Sequence, residues 1–140
     1  MAAELTPGII AEYEAIFTYG DAGPHLSGTQ ADLARKAEQG HRDLRDAVVS
    51  WLHDADVEPP AMQPVYDLPI EPADADTAIE AIDLAEQRCT QAWRSVLADT
   101  DGDARRLALR ALSESAISLA RWRRAVDRKP PMEAFPGRQA

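Results

Sequence analysis

A bundle of four α-helices, interrupted midway by one long irregular connection, is the fold class that three features of this sequence predict. Hydrophobic residues make up 45% of the chain but aromatics only 6%, and the heavy use of Ala, Leu, Glu and Arg favours helix over sheet. Four segments repeat apolar residues at the three-and-four spacing of a helix with one buried face. Between the second and third of them, Pro59, Pro60, Pro64, Pro69 and Pro72 account for half of the ten prolines, which excludes regular structure there. At 140 residues the chain is expected to form a single domain around one core, residues 1–140.

The first helix is expected over residues 6–23. Thr6 and Pro7 resemble a cap and a first-turn proline, and Ile9, Tyr13, Ile16 and Phe17 mark the apolar face. Glu12 lies three beyond Ile9 and four before Ile16, so it too projects inward. Pro24 ends or kinks the helix, leaving His25 in a turn. The second helix is expected over 28–54, opened by Thr29 with Asp32, and its stripe runs Leu33, Ala37, His41, Leu44, Val48, Trp51, Leu52. Gly40 inside it predicts the close approach of another helix or a bulky side chain. Residues 55–75 form the proline-rich crossover. If the helices it joins are parallel it must travel roughly 35–40 Å, which an extended chain at about 3.1 Å per residue can cover. The third helix, 76–98, begins with a Thr77–Glu80 capping box and carries Ile79, Ile82, Glu86, Cys89, Trp93 and Val96 on one stripe, with Glu86 in its middle. Asp99–Asp103 makes a short turn, since it lacks the distal Glu of a calcium loop. The fourth helix, 103–128, buries Ala108, Leu112, Ser115, Leu119, Trp122 and Val126, and Phe135 anchors the tail, 129–140.

Composition also bears on partners. No apolar run approaches the roughly 20 residues of a membrane span, and the first residues lack a secretory pattern, so a cytoplasmic protein with no membrane partner is expected. The net charge of −9 disfavours nucleic acid. The charge is uneven: residues 1–103 hold six Lys or Arg against 21 Asp or Glu, and residues 104–140 hold nine against three. A basic last helix lying against acidic neighbours accounts for this, and a patch for nucleic acid or an acidic partner at Arg121, Arg123, Arg124, Arg128 and Lys129 is the minority reading. The single cysteine, Cys89, excludes an intrachain disulfide and is expected as a buried thiol.

Glu38 and His41 form a Glu-x-x-His pair on the second helix, with His41 inside the stripe and Glu38 at its edge. In ferritin-like bundles such a pair is half of a metal site, although chance pairs of this kind and hydrogen-bonded core histidines are both common. The segments AEYEAIFTYG, GPHLSG, HRDLRD, VYDLP, ARWRRAV and AFPG together resemble an actinobacterial ferritin-like family of unknown function. The resemblance implies a ferritin-like four-helix bundle and a homodimer, and brings no activity with it. Set against the di-iron pattern of the wider superfamily, Glu12 matches the first-helix carboxylate, Glu38 and His41 the second-helix pair, and Glu86 the third-helix carboxylate. The fourth-helix pair has no counterpart. Two expectations follow. The first is a non-enzymatic dimeric scaffold, binding a protein partner or a small apolar ligand without a cofactor, in which Arg45 pairs with Glu12 or Glu86 in a buried polar cluster. The alternative is a metal-handling protein or oxidoreductase holding Fe or Mn through Glu12, Glu38, His41 and Glu86.

Overall fold

The computed structural model describes residues 2–127 and 135–138, and among these every regular element is helical. After a short 3-10 turn at Ala2–Leu5 come α1 (Thr6–Ala22), α2 (Gly28–Asp54), α3 (Ala75–Leu97) and α4 (Gly102–Ala125). Thr6 is the first helical residue rather than the cap, and α2 opens after an extended Ser27 with no side-chain cap, so Thr29 and Asp32 do not play that part. The capping box of α3 lies one turn earlier than the Thr77–Glu80 spacing suggests. Asp74, extended at φ −152°, accepts from the Thr77 amide at 2.8 Å while the Thr77 hydroxyl accepts from the Asp74 amide at 3.0 Å, which satisfies amides that a helix start leaves without partners. The fourth helix stops at Ala125, short of 128, where Asp127 adopts a left-handed φ of 55°. Residues 128–134 and 139–140, with the expectations placed on them, lie outside the described residues.

Two apolar clusters fix how the helices run. Leu5, Ile9 and Ala15 of the first segments meet Leu44, Val48 and Leu52 of α2, Cys89, Trp93 and Val96 of α3, and Ala104, Ala108 and Leu112 of α4. The other cluster joins Tyr19, Ala22 and Leu26 with Ala34, Ala78, Ile82 and Trp122. Each helix thus contributes its beginning to one cluster and its end to the other. This makes α1 antiparallel to α2 and α3, and α4 antiparallel to α3. The strongest packing is α3 on α4 and α1 on α3, whereas α2 rests mainly on α1 and touches α4 lightly.

Residues between α2 and α3 lie on the outside of α1. The Tyr13 hydroxyl donates to the Pro60 carbonyl at 2.7 Å, the Tyr66 ring meets Phe17 edge-on at 5.8 Å, and Asp67–Ile70 sit beside Thr18 and Ala81. A buried ion pair, Arg123 to Asp83 at 3.0 Å, ties α4 to α3. It places one residue of the basic last helix against an acidic neighbour, at a position 5% exposed.

The close approach expected at Gly40 occurs elsewhere. Nothing lies within 4 Å of a Cβ built on Gly40, whereas one built on Gly8 would sit 2.5 Å from the Trp93 ring. Gly8 is the position that lets α1 meet the indole. At the tail, Phe135 is 59% exposed and does not anchor the chain. Gly137 does so instead, in left-handed backbone (φ 80°) against the Thr90 carbonyl, while Arg94 donates to the Pro136 carbonyl at 3.2 Å. Gly8→Ala forces Trp93 aside in a close-packed core, so thermal or denaturant unfolding should register a loss of about 1–3 kcal/mol. The same change at Gly40 should be neutral or stabilising, because it adds helix propensity in open space.

Candidate functional site

The two apolar clusters meet at a buried polar group built from α1, α2 and α3. Glu12 is inward because it shares the face of Ile9 and Ile16, His41 because it follows Ala34 by two turns and precedes Leu44 and Val48, and Glu86 because it lies between Ile82 and Cys89. Glu12 and Glu86 are fully buried and His41 is 3% exposed. The imidazole bridges them: Nδ1 faces Glu12 Oε2 at 2.5 Å and Nε2 faces Glu86 Oε1. Glu12 Oε1 accepts from the Trp93 indole N–H at 2.9 Å. Glu86 Oε2 is buried and has no hydrogen-bond partner among the described residues.

Of the four ligands proposed from sequence, the structure brings together three. Glu38 is not among them: its carboxylate is partly exposed and pairs with Arg42, one turn along the same helix, at 3.4 Å. Arg45 does not join the cluster either. Its guanidinium pairs with Asp46 at 3.0 Å and lies close enough to Tyr13 to oppose the rise that burial gives that hydroxyl. The counter-charge to Glu12 and Glu86 is therefore the imidazole itself.

Burial alone would pull the His41 pKa down, but the nearby charges of Glu86 and Glu12 and their hydrogen bonds outweigh it and hold the value well above 6.5. The ring is an imidazolium, with both nitrogens donating. Two carboxylates and one imidazolium leave the cluster with one uncompensated negative charge. Cys89, whose thiol hydrogen points to the Ala11 carbonyl at 3.5 Å, feels this: burial first, then Glu12 and Glu86, push the thiol well above its usual range. Tyr19, tilted against the His41 ring at 5.7 Å, is raised in the same way by burial and by Glu86, and its hydroxyl accepts from the Trp122 indole at 2.9 Å. Both groups are neutral packing partners rather than nucleophiles.

Trp93 and Cys89 belong to this environment, and sequence reasoning assigned them only to the core. Their signal was present in the spacing, since Cys89 and Trp93 follow Glu86 by three and seven residues on one stripe. The Asp83–Arg123 pair was missed although spacing carried its signal: Asp83 lies four beyond Ile79 and three before Glu86, and Arg123 four beyond Leu119 and three before Val126.

Because the fold raises the His41 pKa, the stability it supplies is complete below the unfolded value of 6.5 and is lost as pH rises through the folded value. Thermal unfolding followed upward from about pH 6.5 should show a falling midpoint, and His41→Gln, less stable throughout, should lack that alkaline decline.

A family model described as a domain of unknown function, DUF4439, matches residues 5–140. The crystal structure of a conserved hypothetical protein, rv2844, from Mycobacterium tuberculosis is 30% identical to this chain, covers 88% of it and 94% of its own length, and superposes with a TM-score of 0.83. No curated protein matches the chain. Among the described residues no helix is long and apolar enough to cross a membrane. With a family model spanning nearly the whole sequence and a solved relative sharing the same all-helical fold, the chain belongs to the DUF4439 family.

Proposed function

We propose that the chain is a non-enzymatic ferritin-like bundle, homodimeric and acting by binding, in which an imidazolium clamped by two carboxylates stands where a metal would. The observation that carries this reading is that both ring nitrogens of His41 are engaged, by Glu12 and by Glu86. A ring in that state has no lone pair to give a metal. The donor set also argues against a dinuclear centre: Glu38 is paired with Arg42, and the α4 residue beside Cys89 is Ser115, neither a carboxylate nor an imidazole. The antiparallel pairs α1–α2 and α3–α4 support ferritin-like topology, with residues 55–75 as its crossover, because the contacts of that segment advance from Tyr13 to Thr18 along α1. The half-exposed Leu109 on α4 supports a homodimer, and the mycobacterial relative supports an actinobacterial origin.

A second reading has its own observation. One ligand atom each from Glu12, His41 and Cys89 lie within 4.8 Å of one another, and Glu86 Oε2 is orphaned. If His41 gave up its proton, these atoms could hold a single Fe or Mn, and the chain would be a metal-handling protein. Elemental analysis of untagged protein before and after anaerobic Fe(II) and Mn(II) loading separates the two. The scaffold reading expects no stoichiometric metal in the parent, and metal bound in the parent but lost in Glu86→Gln would overturn it. Unfolding supplies a second test. His41→Leu alone strands two buried carboxylates and should cost about 3–5 kcal/mol, whereas His41→Leu with Glu12→Gln and Glu86→Gln should recover most of that loss.

A further inference from the structure

The light contact between α2 and α4 leaves a cleft of about 570 Å³, within the range of small-molecule sites. The cause is local. Ala37 and Gly40 of α2 face Ser115 and Ser118 of α4, side chains too short to fill the gap, and the space beside Gly40 is open. Leu33, Leu44 and Ile117 line the walls, so most of the surface is apolar. Ile117 is 43% exposed for an isoleucine, which leaves unburied apolar area to be covered.

Charge decides what fits. Lys36 and Arg121 stand at the cleft, and neither forms an ion pair among the described residues. The one carboxylate on the lining, Glu114, is already held by Arg110 at 3.0 Å. In a chain of net charge −9, two uncompensated cations beside an apolar cleft are a recognition feature for an anion. They also share one end. Because α2 and α4 are antiparallel, the Ala34–Trp122 cluster marks the end near Lys36 and Arg121, and the cluster holding Leu44 and Leu112 marks the other. The floor carries His41 with the net-negative carboxylate pair behind it, so an anionic head is repelled there and is placed on the cationic end.

We propose that the α2–α4 cleft binds a single-chain anionic amphiphile, its head on Lys36 and Arg121 and its chain along Ile117 and Leu44. The inference rests on the reading of the chain as a binding protein, and it names the ligand class.

Isothermal titration of the full chain with dodecanoate, dodecyl phosphate and dodecanol, below their micellar range, tests it. Saturable binding of both anions is expected, with dodecanol weaker by about tenfold or more. Lys36→Glu with Arg121→Glu should weaken the anions by at least about tenfold and leave dodecanol unchanged. Gly40→Leu fills the cleft with a good helix former and should abolish all binding while circular dichroism and thermal unfolding stay as in the parent. The idea is overturned if dodecanol binds as tightly as the anions, if either variant binds like the parent, or if no amphiphile binds. Binding only to phosphatidylglycerol vesicles, or a dimer whose cross-links run through Ile117 and exclude dodecanoate, would overturn it in favour of a membrane surface or a second copy. Stoichiometric metal in the same preparation would overturn the scaffold reading without touching these results, so the two failures are distinguishable.

Discussion

Three helices of this bundle are held in register by one buried proton. The imidazolium of His41, on α2, sits between Glu12 of α1 and Glu86 of α3. Removing charges from water costs several kcal/mol per ion, and the attraction between them offsets that only in good geometry with further hydrogen bonds. Here the Trp93 indole supplies one such bond to Glu12. Sliding α2 by one turn would part His41 from both carboxylates at once, whereas apolar contacts along the same helix would merely exchange partners. The charged cluster thus favours one register of α2, alongside the packing of the two apolar clusters.

The surrounding structure follows from protecting that group. Trp93 can reach Glu12 because Gly8 has no side chain to block the ring, and Cys89 and Tyr19 stay protonated beside the extra negative charge. On the opposite side of His41 the walls are small, and the bundle remains open between α2 and α4. Close packing of α1 on both α2 and α3 and the light contact of α2 with α4 are thus two sides of one arrangement. The first fixes the buried charges, and the second leaves a cleft with cations at one end.

Much of this was legible in the sequence, for reasons that differ by residue. Glu12, His41 and Glu86 each fall in phase with apolar neighbours, so their inward direction follows from helix geometry alone. Glu38 failed because three residues along a helix leave a rotation of about 60°, enough to put a side chain at the edge of a stripe into solvent, where Arg42 satisfies it. Arg45 is nearly in phase with His41, but it is long and finds Asp46 and the Tyr13 hydroxyl before it reaches the buried carboxylates. Gly40 was misread because a missing side chain signals equally a close neighbour or an empty space. Only the third dimension separates Gly8, against an indole, from Gly40, beside a cleft. The Asp74–Thr77 box was displaced from Thr77–Glu80 by one turn because both spacings satisfy the same pattern.

The central claim is the protonation state of His41, and nitrogen NMR of protein labelled at its histidine ring nitrogens reads it directly. His25 is exposed in a turn and His53 in the last turn of α2, and loss of one signal in His41→Gln assigns the His41 ring. The account predicts that both His41 nitrogens keep protonated shifts as pH rises past the ordinary imidazole value of 6.5. A His41 ring with one unprotonated nitrogen at neutral pH would contradict it and restore a lone pair for a metal.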